Sequence, residues 1–339
     1  MPQPAPIPPA PIKPAPKDSP VHRLRIEPLA ERQFGFFIGQ TEVTRWHFSD
    51  LAPRPYFFPV NGPSGHSLTR MGHPGAPNHD HHRSFWFAHS DMLGIDFWSE
   101  TTAARIRQSQ WYAIEDGEEA ARIAFELLWT DGHNPEPLIK QDVFVTLRTA
   151  PLGWTLELQN DFRATAMGIE FRKSNFGVLG LRVAKSLSVV FGGGLITGAD
   201  GFEGEPQLFG KPNRWLDYSG PIYIEPAAES ATASDKSTQP AARQRVEGLT
   251  LIDHATNPGH PAKWHVRNDG WIGPSLSRDA AVIVPQNEPL TCRYLLYIHS
   301  GACDPQQINA LAQLFDSSPP LQVKKSTKPH HQFEIAPKA

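Results

Sequence analysis

Ile123-Ala124-Phe125-Glu126-Leu127-Leu128-Trp129 is the stretch on which the architecture turns. Ile123, Phe125, Leu127 and Trp129 fall on one side of an extended chain, with Ala124 and Glu126 on the other. That period of two is the mark of a strand half-buried in an antiparallel sheet. The same reading applies to Val143, Val145 and Leu147, and to Trp154, Leu156, Leu158 and Phe162 set against Thr155, Glu157, Gln159 and Asp161. Late in the chain Tyr294, Leu296 and Ile298 alternate with Arg293, Leu295 and Tyr297. Turn signals at Asp116-Gly117, Asp131-Gly132 and Pro151-Leu152-Gly153 separate neighbouring runs, as a meander requires. The expected class is all-β: a large antiparallel β-sandwich of about 20 strands in two facing sheets, with one concave side.

Working outward, one helix stands out. Asp304 caps it, Pro305 suits its first position, and Ile308, Leu311 and Phe315 form an apolar stripe through Gln306 to Asp316. Residues 227–245 are small, polar and aperiodic, too poor in apolar area to offset ordering entropy, and are expected to form a mobile insertion between two strands of a hairpin. The first 20 residues contain nine prolines and are expected to form an extended arm. A single domain over residues 21–337 fits the unbroken β pattern.

The 339 residues carry a net charge of -3 and no Lys/Arg run, which argues against a nucleic-acid or membrane-surface partner. No stretch approaches the roughly 18 consecutive apolar residues of a spanning helix. A soluble protein is expected, cytoplasmic as written, or periplasmic or exported if the Pro-rich start follows a removed signal. Cys292 and Cys303 read as two buried thiols or, in an oxidising compartment, a disulfide; they do not space as a metal site.

Chemistry concentrates in two tracts. Six of the fifteen histidines lie between Asn61 and Glu100, densest at Asn78-His79-Asp80-His81-His82-Arg83-Ser84-Phe85-Trp86-Phe87 and continuing to His89 and Trp98. Histidine exchanges a proton or binds a metal near neutrality, so this is where chemistry is expected. A second tract runs from Asp253-His254 through Asn257-Pro258 and His260-Pro261 to Trp264-His265-Val266-Arg267.

Arg54-Pro55-Tyr56-Phe57-Phe58-Pro59-Val60, Gly65, Thr69-Arg70, His79, His81 to His89 and Gly94-Ile95-Asp96-Phe97-Trp98 carry a likeness. Trp215 to Gly220, the second tract, and Arg293 to Gly301 continue it in order. Across about residues 50–301 the chain resembles the family labelled methane oxygenase PmoA-like, a domain of unknown function found in bacteria that degrade complex polysaccharides. The label does not imply methane oxidation, which relies on a membrane-embedded copper assembly. The resemblance implies a soluble antiparallel fold similar to the galactose-mutarotase supersandwich. The family's Asp-His-Pro-His-His appears here as Asn78-His79-Asp80-His81-His82, and its Glu-Gly-Gly is missing ahead of Leu181-Arg182. Any role for those carboxylates does not carry over.

Three functions are compatible with these tracts. The leading expectation is a carbohydrate-active enzyme, lyase/hydrolase or epimerase in type, with His81, His82, His265 and Asp253 in acid–base catalysis. Arg70, Arg83 and Arg267 would grip a carboxylate, sulfate or hydroxyl pair, with Trp98, Trp264 and His89 also holding the small-molecule or glycan substrate. Trp86 and Trp215 are further stacking candidates. The alternatives are a non-catalytic carbohydrate-binding or scaffold module and a metal-dependent oxidoreductase or hydrolase. If His79 to Arg83 is extended, His79 and His81 share a face and could bind a divalent metal, given a third ligand such as His89, His265 or a carboxylate.

Overall fold

The structure, a computed structural model, describes residues 23–73, 75–224 and 243–338. Five strands come first: β1 (Leu24–Leu29), β2 (Gln33–Ile38), β3 (Thr41–His47), β4 (Tyr56–Val60) and β5 (Phe85–His89). Four long ones follow, β6 (Arg105–Glu115), β7 (Ala121–Thr130), β8 (Ile139–Ala150) and β9 (Gly153–Ala164). Next are β10 (Glu170–Phe171), β11 (Gly177–Arg182), β12 (Leu195–Gly198), β13 (Trp215–Ile224) and β14 (Arg243–Asp253). The chain continues with β15 (Trp264–Arg267), β16 (Trp271–Pro274), β17 (Val282–Ile283) and β18 (Leu290–Ser300), and ends in β19 (Leu321–Lys325) and β20 (Phe333–Pro337).

Two eight-stranded antiparallel sheets form the sandwich. The first has the order β1-β2-β3-β4-β5-β11-β16-β15, the second β12-β13-β14-β18-β9-β8-β7-β6. The alternating runs read from the sequence are neighbours in the second sheet: Ile123 pairs with Val145, Val145 with Leu158, and Leu158 with Tyr294. Their apolar sides meet Phe36, Trp46, Phe57, Phe87, Leu179 and Leu181 from the first sheet in one continuous core. Trp46 packs 5.1 Å from Phe125, ring centre to ring centre, across the two layers. Burying a dozen such side chains, at roughly 1.5–3 kcal/mol each, is what joins the sheets.

The outward side of the second sheet is covered too, which the alternation does not predict. Helix α3 is the third of three α-helical segments, after the single turns α1 (Val189–Gly192) and α2 (Glu205–Leu208), and spans Pro305–Ser317. Its Ile308, Ala312 and Phe315 pack on Trp215, Ile252, Leu295 and Tyr297. Asp304 caps it through the amides of Gln306 and Gln307, as expected. The β19–β20 hairpin lays Leu321, Val323 and Ile335 over Ala113, Ala124 and Phe144.

The expected insertion at 227–245 lies outside the described residues except for 243–245, which belong to β14. The Pro-rich arm at 1–20 also lies outside them. Cys292 and Cys303 are free thiols, and burial raises the pKa of both. Among the described residues no helix is long and apolar enough to cross a membrane.

Candidate functional site

On β5 the period of two sends Phe85 and Phe87 into the core, and Trp86 and Ala88 to the outward side of the first sheet. Register then builds a platform from distant segments. Trp86 stands opposite Tyr56 on β4 and Gly180 on β11. Arg182 on β11 stands opposite Trp271, and Trp271 opposite Arg267. Trp98, from the loop after β5, closes the group: its ring centre lies 5.3 Å from that of Trp86 and 5.4 Å from that of Trp271. Gly180 is the point where the three indoles converge. A Cβ there would lie 2.7 Å from Trp271, 2.9 Å from Trp86 and 2.9 Å from Trp98.

The histidine tract folds over this platform. It is not extended: Pro77–His79 is a turn of 3-10 helix and the chain turns again through Asp80 and His81. Strand alternation therefore fails here. His82, which an extended tract would set on the face opposite His79 and His81, instead turns inward and stacks on Trp271 at 5.1 Å and Trp86 at 5.6 Å. The rings of His79 and His81 lie 4.9 and 4.5 Å from it. Burial first, then the positive charge of Arg182 and Arg54 and the neighbouring imidazoles, pushes the pKa of His82 down to about 2. His79 and His81 are half-buried and are also held below the usual histidine value, burial leading in each case. Near neutral pH the cluster is a set of uncharged imidazoles.

Two ion-pair groups brace it. Arg83 forks onto Glu100 at 2.5 and 2.6 Å, and Glu100 also meets the fully buried Arg54 at 3.2 Å. Arg54 in turn donates to the carbonyls of His81 and Phe97. At the other end Arg182 makes two 3.0 Å bonds to Asp269, in the turn between β15 and β16. His73 approaches the same carboxylate at 3.4 Å, and Arg70 donates to the Asp269 carbonyl at 2.8 Å. Burial alone would raise the Asp269 pKa, but Arg182, His73 and Arg70 more than offset it and hold it low.

Much of the polar surface here has no protein partner. Among the described residues, ten of the fourteen buried side-chain nitrogens lacking a hydrogen bond belong to this one face. They are the indole N–H groups of Trp86, Trp98 and Trp271, Nδ1 of His79, His82 and His265, Nε and Nη1 of Arg70, and Nε of Arg54 and Arg182. An unmade hydrogen bond at a buried group costs about 1–3 kcal/mol. Their concentration on one face, with few elsewhere, marks a place where acceptor oxygens are wanted.

Residues expected to act together divide. His265 belongs to this face: its ring lies 5.8 Å from Trp271 and 4.8 Å from Phe176, with its pKa lowered to about 4 by burial and Arg267. Arg267 shares the face but is paired with Glu205 at 2.7 Å, and Arg83 is spent on Glu100. His89 points into the core side of β5, where it contacts Phe171 and Ser277. Trp264 alternates with His265 and so faces the core, its N–H bound to the Asn213 carbonyl. Trp215 lies under α3 with its N–H on Asn309. Asp253 sits at the end of β14 in the other sheet, its carboxylate taken by Asn257, His260 and the amide of Ala262. The second tract therefore gives the face His265 and Arg267, and its Asp253–His260 half is a structural loop clasp.

For the metal role read for His79 and His81, neither His89 nor His265 serves as the third ligand among the described residues. His89 is on the opposite side of the sheet, and His265 meets the cluster through Trp271. Among the described residues no group of three or more His, Cys, Asp or Glu is arranged to hold a metal ion.

Fold and site together define a class: an antiparallel β-sandwich carrying an aromatic, histidine- and arginine-rich face on one sheet. A family model described as a family of unknown function (DUF6807) matches residues 35–313, and the chain belongs to that family. The comparison with curated proteins gives no match.

Proposed function

We propose that the outward face of the first sheet is a carbohydrate site, and that the protein is a sugar-active enzyme of lyase or epimerase type. The observation that carries this is the set of unpartnered indole, imidazole and guanidinium nitrogens gathered around the buried tryptophan platform and the histidine rings over it. A sugar ring offers what such a surface lacks: apolar C–H faces for stacking and many acceptor oxygens at its rim. The motif likeness to the PmoA-like proteins belongs to this reading as a likeness of motifs, not of activity.

The acid–base balance favours proton abstraction over glycoside hydrolysis. Hydrolysis commonly uses two carboxyl groups, one of them protonated. Here Glu100, Asp269 and Glu205 on this face are each held in an arginine pair, and Asp96 accepts from the amides of Trp98 and Ser99. His81, at the rim and depressed in pKa, is uncharged at neutral pH and suits a base. It would take a carbon-bound proton from the sugar. That proton is one alpha to a carbonyl or carboxylate, which delocalises the electron pair left behind. The pair then either takes up a solvent-derived proton on the opposite face, giving the epimer, or forms an alkene as a substituent on the neighbouring carbon departs with its bonding electrons. His82, beneath it and uncharged, is a hydrogen-bonding group of the floor.

Deuterium incorporation tests the proposal. Wild-type protein in D2O, incubated with neutral hexoses and with uronates, is expected to exchange one carbon-bound proton by NMR. His81→Ala should slow exchange by about 100-fold or more, with the thermal midpoint nearly unchanged. Exchange that persists in His81→Ala removes this base. A second reading, a sugar-binding module without turnover, is favoured by the same locking of Glu100 and Asp269; binding without exchange in the wild type would select it.

A further inference from the structure

Three arginines were equivalent candidates in the sequence for gripping an anion, and the structure separates them. Arg83 is engaged by Glu100 and Arg267 by Glu205. Arg70 alone among these three has no carboxylate partner within its ion-pair reach. Its Nη2 is spent on the Asp269 carbonyl, and its Nε and Nη1 are buried and unpartnered.

The surroundings of Arg70 are cationic. Burial, and after it the nearby charge of Arg182, lowers the pKa of Arg70 to about 10. Lys185 lies 5.9 Å from the Phe191 ring, which also covers Arg70 at 6.0 Å and packs against His73 at 5.7 Å. Asp269 is the carboxylate among these groups, and its side-chain oxygens both go to Arg182. The excess of positive charge is therefore uncompensated at this end. Arg182 also lowers the pKa of His82 and His79, so this end adjoins the imidazole cluster on the tryptophan floor.

Resting on the carbohydrate reading, we propose that the substrate is an anionic sugar whose carboxylate or sulfate ester binds the Arg70 guanidinium at the Arg182–Asp269 end. The ring then lies against the half-buried imidazoles of His79 and His81 that cover the tryptophans. A planar fork of N–H donors matches either anion, and such charge-assisted pairs are about twice as strong as neutral ones. Arg182 is held in place by Asp269, leaving Arg70 as the donor with capacity to spare.

The test is a binding panel followed by NMR or calorimetry: glucose and galactose, their uronates, and their 6-sulfates. At least one acidic form is expected to bind about tenfold or more tighter than its neutral parent. That preference should vanish in Arg70→Gln and survive in Arg163→Gln, which removes an equal charge from the second sheet. Uronate and 6-sulfate arms separate the two anions. Equal binding of neutral and acidic forms, or a preference that persists in Arg70→Gln, overturns the proposal while leaving the carbohydrate site intact. Failure of every probe, neutral ones included, overturns the carbohydrate reading itself and this proposal with it. If Arg70→Gln does not fold, inorganic sulfate decides on the wild type: it must displace the acidic probe and spare the neutral one, and failure to do so overturns the proposal.

Discussion

Gly180 shows how much a single residue can hold in place. It is buried on β11 between three indoles, each within 3 Å of where a Cβ would stand. Gly180→Ala must push apart rings that define the floor, at an overpacking cost of about 1–3 kcal/mol. We expect a lower thermal midpoint, a shifted tryptophan emission spectrum and weakened sugar binding; an unchanged spectrum would contradict the packing described. Nothing local marks this glycine, because its neighbours Trp86, Trp98 and Trp271 come from elsewhere in the chain. Trp271, Arg182 and Asp269 escaped the sequence reading for the same reason. A hint was present in Asp269-Gly270, a turn signal between Trp264–Arg267 and Trp271 that sets Trp271 beside Arg267. The density of histidines was legible. Their geometry was not, because a turn replaced the strand on which the face assignment depended.

At the scale of elements, what was readable is what is local. Helix α3 could be placed from its cap, its proline and its stripe, all within a few residues. Asp304→Ala removes the acceptor for the Gln306 and Gln307 amides and should cost about 1 kcal/mol, visible as a lower midpoint in urea. An unchanged midpoint would mean that packing on Leu295 and Tyr297 alone holds the helix. The meander β7-β8-β9 was legible likewise, since its strands are consecutive and its turns short. Pairing of β5 with β11 and of β11 with β16 was not, since no local signal records which strand lies beside which across long connections. The candidate site is built on those pairings, and this is why its composition was readable but its convergence only partly so. Asp253 and Trp264 illustrate the gap: they share a tract with His265, yet one lies in the other sheet and the other faces the core.

Taken whole, and among the described residues, four buried histidines have a folded pKa held well below the ordinary value. His82 is lowered to about 2, and His89, His254 and His265 each to about 4, burial leading in every case. Each folded value lies below the ordinary 6.5, so between the two the unfolded chain binds more protons. Stability from these groups is complete above about pH 6.5 and is lost as pH falls toward 4, with His82 still contributing below that. Each can supply a slope of up to about 1.4 kcal/mol per pH unit. Thermal midpoints measured from pH 8 to pH 4 should stay level to about pH 7 and then drop steeply; a flat profile down to pH 5 would mean these rings are hydrated in solution.

The order of strands in the first sheet also bears on biosynthesis. Trp86 leaves the ribosome long before Gly180 and longer still before Trp271, so a nascent chain holds the floor's first indole without its partner on β16. Until β16 arrives, that indole is an adhesive surface of the kind chaperones shield, and pairings between such distant segments form slowly. A product truncated ahead of Trp271 would keep that exposure without a completed floor.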